Sequence, residues 1–278
     1  MRTSLFQRLG CGLLLIGTLF GVQALAAEKV AIEKSAPSFQ QIIALHKLRV
    51  GTFLSTPYAM KAKDGTLIGS EIDIAQQLGR DMGVEVEIKP LAWDQLIPAL
   101  RRGDIDIIVA GLSITPERAL QVYFSDPYSS SGISIATNIK LTANFSSIEN
   151  LNRPDVAIGV IGGTVSEDAA RQIFPKASIK LFSEEAKAEE ALVKGLLHGY
   201  VRAEPVPRFL ALQYPKDVDV PISKPLIATR EAFAVRRGDN DFINYLNAWI
   251  VAHEADVWLV STHKYWFESV SWQDKVEK

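Results

Sequence analysis

The sequence holds a single cysteine, Cys11. That excludes an internal disulfide framework, a multi-cysteine zinc site and an iron–sulfur cluster. The four histidines, His46, His198, His253 and His263, are scattered, with no HExxH pair among them. A GxSxG elbow, a phosphate loop ending in GKS or GKT and a complete GxGxxG are all missing, so the common nucleophile and nucleotide signatures are absent. No excess of positive charge is present either. A formal net charge of −2 gives no footprint for nucleic acid or an anionic membrane. What is there is 278 residues with 47% hydrophobic and 22% charged side chains, the mix of a folded soluble protein with room for two ordinary domains or one large one.

The N-terminus reads as an export signal. Arg2 and Arg8 make a basic start, no residue from Leu9 to Ala27 is charged, and Leu13-Leu14-Leu15-Ile16 with Leu19-Phe20 form an apolar core. Ala24-Leu25-Ala26 puts small residues where a signal peptidase reads, which predicts a signal peptide over residues 1–26. A membrane-spanning anchor fits less well, because the apolar core is short and broken by Gly17 and Gly21. Cys11 begins the apolar run instead of following it, so it does not sit where a lipid-bearing cysteine would. Removing residues 1–26 leaves 28 basic against 32 acidic side chains, a net −4, and no cysteine. A mildly acidic, cysteine-free exported chain suits a bacterial periplasm.

Strands and helices then alternate, which predicts an α/β fold with largely parallel sheets. Strands are expected at 48–52, 84–89 and 105–110, and helices at 38–45, from Ser70 to Gly83 and over 94–102. Ser70 is expected to cap its helix. Thr115-Pro116-Glu117 combines a hydroxyl cap, a proline at the first helical position and an acid in the first turn. A second set follows: strands at 156–160, 179–182, 200–201 and 232–236, and helices at 166–173, 186–197, 204–214 and 241–254. Two such halves without a flexible joiner predict lobes connected by short strands.

Three places can carry binding chemistry. Gly162-Gly163-Thr164 ends a strand, and the N–H groups of Gly163, Thr164 and Val165 can point at an anion at the start of the next helix; a plain strand–helix turn accounts for the same residues. Gly111 to Arg118 follows a strand expected to be buried, so it lies at the carboxyl edge of a sheet, where open α/β folds bind ligands. Ser113 offers a hydroxyl there, Gly111 exposes backbone, and Arg118 can grip a carboxylate with two prongs. A cation beside the positive end of a helix is badly placed unless an anion joins it. Trp93, between a strand and a helix, offers a flat apolar face to a ligand, or to the core.

Together these pieces resemble the periplasmic solute-binding proteins of polar amino-acid ABC importers, the bacterial extracellular solute-binding protein family 3. The residues that carry the resemblance are Leu48-Arg49-Val50-Gly51-Thr52, Gly69 to Ala75, Trp93 to Leu100, Gly103-Asp104-Ile105-Asp106, Ala110 to Arg118, Phe124 to Tyr128, Gly159 to Thr164 and Phe233 to Asp239. The resemblance implies two α/β lobes closing on a ligand about a two-strand hinge. Lobe one is then 28–136 plus 231–278 and lobe two 137–230. It also implies that Arg118 holds the ligand carboxylate, that Gly111, Ser113, Thr164 and Val165 add hydrogen bonds, and that Trp93 packs on the ligand side chain. Phe53, Ser55 and Tyr58, in the segment where the family's first strand normally runs on to an acid, complete the candidate set. The family's ammonium-holding aspartate falls on Ala203, with Glu204 next to it, so either Glu204 takes over or the ligand has no ammonium.

The expected function is capture of an amino acid or related small carboxylate for an inner-membrane ABC permease, by a monomer without cofactor or metal. A cyclohexadienyl-dehydratase-like enzyme on the same fold and a ligand-presenting sensor are the alternatives. Asp239 with Asp241 is expected to cap a helix, not to hold a metal. Tyr265, Trp266, Phe267 and Trp272 are expected to pack the C-terminus onto a lobe. Glu184-Glu185 with Glu189-Glu190 is expected to be a solvated helix face.

Overall fold

The computed structural model describes residues 38–269 and 271–276. The signal-peptide reading of residues 1–26 therefore lies outside the described residues. The chain opens with helix α1 (Ser38–Leu45), strand β1 (Lys47–Thr52) and a small antiparallel pair, β2 (Met60–Lys61) and β3 (Leu67–Ile68). Helix α2 (Ser70–Met82), β4 (Glu85–Pro90), a 3₁₀ turn at Trp93–Gln95 leading into α3 (Leu96–Arg102), β5 (Ile107–Ile108) and α4 (Pro116–Ala119) follow. Then comes the long β6 (Tyr123–Asn138), with α5 (Ile139–Thr142) directly after it.

The second half runs β7 (Ala157–Ile161), α6 (Val165–Ile173), β8 (Ser178–Phe182), α7 (Glu185–Val193), β9 (Gly199–Ala203), α8 (Val206–Gln213) and β10 (Val218–Asp219). The chain returns through β11 (Ile227–Val235) to α9 (Asn240–Ala255) and α10 (Trp258–His263).

The main sheet has the order β4-β1-β5-β11-β6-β9-β7-β8, with β10 beside β6. Strands β4, β1 and β5 pair in parallel, as do β9, β7 and β8. These two parallel sets are joined through the antiparallel pair β6 and β11. One end of β6 lies against β11 from Tyr123 to Ile133, and the other lies against β9 from Ile133 to Thr137. The fold is thus two α/β lobes linked by two long strands. Each lobe has its own core. Leu48, Val50, Leu78, Phe233, Phe242 and Leu246 fill the first, and Ile133, Val156, Ile158, Val160 and Phe174 the second. A third cluster lies between them, where Phe53, Leu96, Leu100 and Leu112 meet Ala188, Leu192 and Tyr200.

Several expectations need correction. The lobes are predicted to be connected by short strands, but the connection is the 16-residue β6, over which no strand is predicted, together with the 9-residue β11. Strand β6 pairs through register shifts at Glu231 and Ala232, which accommodate Pro127 opposite Ala232. Ser70 is the first helical residue of α2, and the cap position belongs to Gly69 at φ 139°. The helix start lies on the 57–59 segment, with the Ser70 and Glu71 N–H groups donating to Pro57 and Tyr58 carbonyls, and a Cβ at Gly69 would overlap the Tyr58 carbonyl. Asp239 precedes α9, but its carboxylate accepts the Phe39 N–H at 3.2 Å instead of capping that helix. The tail aromatics do pack, and they reach both lobes: Trp266 and Trp272 form a cluster with Met60 and with Phe209 of α8.

Two buried carboxyls sit on and beside the linking strands. Glu71 and Glu231 are each 2% exposed. The Tyr128 hydroxyl donates to Glu71 at 2.6 Å, and Ser129 donates to Glu231. Burial pushes Glu71 to about 7, against the Tyr128 hydrogen bond. Burial, with help from the Glu71 charge and against Ser129 and Arg202, pushes Glu231 to about 8. Both groups keep their protons in the folded state at pH values where the unfolded chain has lost them. Stability is therefore expected to fall as pH rises from about 4.5 to about 8. Thermal unfolding of Glu231→Gln checks this: the variant should match the parent near pH 5 and unfold several degrees higher at pH 8.

Candidate functional site

The segment after β5 is pinned before it reaches Arg118. Leu112 accepts from the Ala232 N–H and Ile114 donates to Arg230, both on β11. The backbone at Gly111 is left-handed, φ 59°, and a Cβ there would stand 2.8 Å from the Tyr58 ring. The Thr115 hydroxyl accepts the Arg118 N–H and caps α4, which fixes the root of the Arg118 side chain.

Arg118 is buried. Its Nη1 donates to the Ser113 carbonyl at 2.9 Å and its Nη2 to the Gly163 carbonyl at 3.1 Å, the second bond crossing to the other lobe. The guanidinium lies 5.5 Å from the Trp93 ring centre, and the indole N–H donates to the same Gly163 carbonyl at 3.0 Å. Both side-chain hydrogen bonds of this buried cation thus go to neutral carbonyls. Burial lowers its pKa, with the more distant Asp168 and Glu117 opposing. A groove of about 730 Å³ opens beside it, lined by Trp93, Ile97, Leu112, Thr115, Gly163 and Asp168 among others.

The remaining candidates fall into two groups. Phe53 is buried behind the groove and meets its wall residue Trp93 edge-on at 5.6 Å. Ser55 and Tyr58 lie further in and cross to the other lobe: Ser55 Oγ accepts from Arg202 at 2.9 Å, and the Tyr58 hydroxyl donates to the Glu204 carbonyl at 2.8 Å. Glu204 is half-buried and does not line the groove; its Oε2 is buried with no hydrogen-bond partner. Thr164 and Val165 start α6, where the Thr164 hydroxyl donates to the Ile161 carbonyl at 2.7 Å. The Gly163 N–H, expected to face an anion, donates to the Glu167 carboxylate at 2.9 Å. Among the described residues no group of three or more His, Cys, Asp or Glu is arranged to hold a metal.

Arg202 and Glu185 were missed by sequence reasoning. Arg202 is 5% exposed, and its Nε and Nη2 both donate to Glu185 Oε2, at 3.2 and 2.8 Å. Glu185 is 7% exposed, so the acidic face expected on α7 is only partly solvated: Glu184 and Glu190 are exposed, while Glu185 turns inward and Glu189 is half-buried. Burial opposes the charge on Arg202, but Glu185 outweighs it and the guanidinium's pKa is raised. The available signal was a charge inside an apolar strand, Tyr200-Val201-Arg202-Ala203, which demands a buried partner.

The model of the bacterial extracellular solute-binding proteins, family 3, matches residues 48–269. The L-cystine-binding protein of Escherichia coli K12 is 28% identical over 263 residues, covering 90% of this chain and 94% of that protein. The cyclohexadienyl dehydratase of Pseudomonas aeruginosa is 26% identical over 252 residues, covering 89% and 94%. Among solved structures, the ancestral amino acid-binding protein AncCDT-1, described as a precursor of cyclohexadienyl dehydratase, is 36% identical with a TM-score of 0.76. That match covers 84% of this chain and 100% of the ancestral one.

Removing Glu185's charge leaves Arg202 buried and unpaired, which typically costs about 3–5 kcal/mol. Glu185→Gln is therefore expected to lower the urea midpoint sharply, whereas Glu184→Gln, on the exposed side of the same turn, should leave it within about 0.5 kcal/mol of the parent.

Proposed function

The chain belongs to the bacterial extracellular solute-binding proteins, family 3, and from that membership we propose that it captures an amino acid or a related small carboxylate for an ABC importer. Lobe one is residues 28–136 with 231–278, lobe two is 137–230, and the protein works as a monomer that docks on a permease. It is delivered to the periplasm by a signal peptide cleaved after Ala26.

The observation that carries this reading is the buried Arg118, whose guanidinium hydrogen bonds go only to carbonyls. A buried guanidinium without a counter-charge is costly, and a carboxylate is the anion its fork fits best. Ligand and protein therefore solve each other's problem: the carboxylate leaves water for a charged, two-pronged partner. Trp93 supplies the flat face above it. Gly163 of the second lobe lines the groove beside Arg118, and Gly111, Ser113, Thr164, Val165, Phe53, Ser55 and Tyr58 are proposed to meet the ligand on the family pattern alone.

Closure follows from the same contacts. Trp93 and Arg118 of one lobe share a carbonyl of the other. A ligand that adds contacts to both lobes favours the arrangement in which they meet. No bond is made or broken in the ligand, and the protein is not an enzyme in this reading. The dehydratase relative gives the second reading its one support; prephenate incubated with the protein is expected to be recovered unchanged.

Arg118→Ala is expected to weaken binding of the best ligand from an amino-acid and carboxylate panel at least a hundredfold by isothermal titration calorimetry, in line with about 3 kcal/mol for a desolvated charge-assisted bond. Undiminished binding by this variant would overturn the carboxylate assignment.

A further inference from the structure

Gly163 carries two bonds between the lobes on one atom. Its carbonyl accepts the Trp93 indole N–H at 3.0 Å and an Arg118 Nη2 proton at 3.1 Å. Yet Gly163 has little of its own to fix that carbonyl. It is exposed, it has no side chain, and its backbone is left-handed at φ 73°. Glycine takes up many backbone conformations at similar energy, so a carbonyl here points one way only if its surroundings hold it.

The surroundings do hold it. On one side the Gly162 N–H donates to the Phe182 carbonyl at 3.0 Å. On the other, Thr164 is buried and its hydroxyl donates back to the Ile161 carbonyl at 2.7 Å. The tether on Gly163 itself is Glu167, whose Oε2 accepts the Gly163 N–H at 2.9 Å. Arg171, one turn further along α6, donates from Nε to the other oxygen, Oε1, at 2.9 Å. The carboxylate is thus held on both oxygens, and only 17% of the Glu167 side chain is exposed.

A helix start does not need this arrangement. Thr164 is the cap position of α6 and Glu167 the third helical residue. In a capping box these two exchange bonds, hydroxyl to the third N–H and carboxylate to the cap N–H. Here the Thr164 hydroxyl makes no capping bond, and Glu167 reaches past the cap position to the residue before it. Both side chains that could serve the helix serve the turn instead.

We propose that Glu167, aligned by Arg171, is a positioning residue of the binding site. It acts through the Gly163 peptide, holding that carbonyl where Trp93 and Arg118 of the other lobe share it, and so favours the closed arrangement of the lobes. This rests on the reading of Arg118 and Trp93 given above and adds the residue that presents the second lobe to them. With the tether cut, Gly163 samples other conformations, both donors lose a fixed acceptor, and the lobes part more often. The reach of the side chain is what matters. A carboxylate or a carboxamide of the same length accepts the Gly163 N–H, and a side chain one methylene shorter does not span to it.

The test uses the full chain without ligand and two variants, Glu167→Gln and Glu167→Asp. The first keeps the reach and the acceptor and loses the charge. The second keeps the charge at the start of α6, where the helix dipole favours it, and loses the reach. Each protein is compared with its own Trp93→Phe counterpart, so that only the emission of Trp93 is read. Glu167→Asp should move that emission to longer wavelength, raise its quenching by acrylamide at least twofold, and increase the radius of gyration in solution scattering. Glu167→Gln should match the parent in all three. A role limited to helix stability predicts the reverse order. Glu167→Asp matching the parent, or Glu167→Gln departing from it as far as Glu167→Asp does, therefore overturns the proposal. No ligand is added, so either failure leaves the Arg118 reading standing, and that reading fails separately, through undiminished ligand binding by Arg118→Ala.

Discussion

Taking an arginine out of water costs several kcal/mol unless its donors find acceptors, and the space between these lobes does this twice. Arg118 spends its hydrogen bonds on main-chain carbonyls, one in each lobe. Arg202 has a full carboxylate partner in Glu185 and still reaches across to Ser55. The first guanidinium is hydrogen-bonded by no carboxylate among the described residues, with Asp168 and Glu117 acting on it only through their charge, and the second is held by Glu185. Most of what surrounds them follows from keeping those two groups in place: Thr115 roots one, the bonds to β11 hold its loop, and the start of α7 supplies the partner of the other.

The linking strands matter for the same reason. Strand β6 spends half its length with β11 and half with β9, so each parallel set of strands keeps its own core while the sheet stays continuous through the joint. Glu71 and Glu231 lie at that joint with Tyr128 and Ser129. Buried carboxyls in a linker are expensive to ionise, and they make the joint's energetics depend on protons as well as on packing.

Much of this was legible from residue order alone. The alternation of strands and helices, the proline-started α4 and the glycine-rich turn before α6 each carry a local signal strong enough to place them. So does the buried parallel strand ahead of Arg118. What escaped is what depends on distant partners. Strand β6 looks like loop because Pro127 and the serine run are poor strand formers, and only its register shifts against β11 show how they fit. The α7 acids look solvated because three glutamates on one short helix, with Glu184 just before it, usually are. Which of them turns inward is decided by Arg202 on another strand. The Gly163 N–H looked available to a ligand, and Glu167, one turn into the same helix, takes it.

The bond from the Trp93 indole to the Gly163 carbonyl has an optical consequence. Trp249 is buried within the first lobe, so its surroundings stay the same when the lobes part, whereas Trp266 and Trp272 cluster with Phe209 of α8. Trp93 donates across the cleft and is edged by Phe53. Separating the lobes exposes the Trp93 indole further to water, and its emission moves to longer wavelength while that of Trp249 stays constant. The chain thus carries its own fluorophore at the place where opening begins, and the colour of its light reads out the angle between its halves.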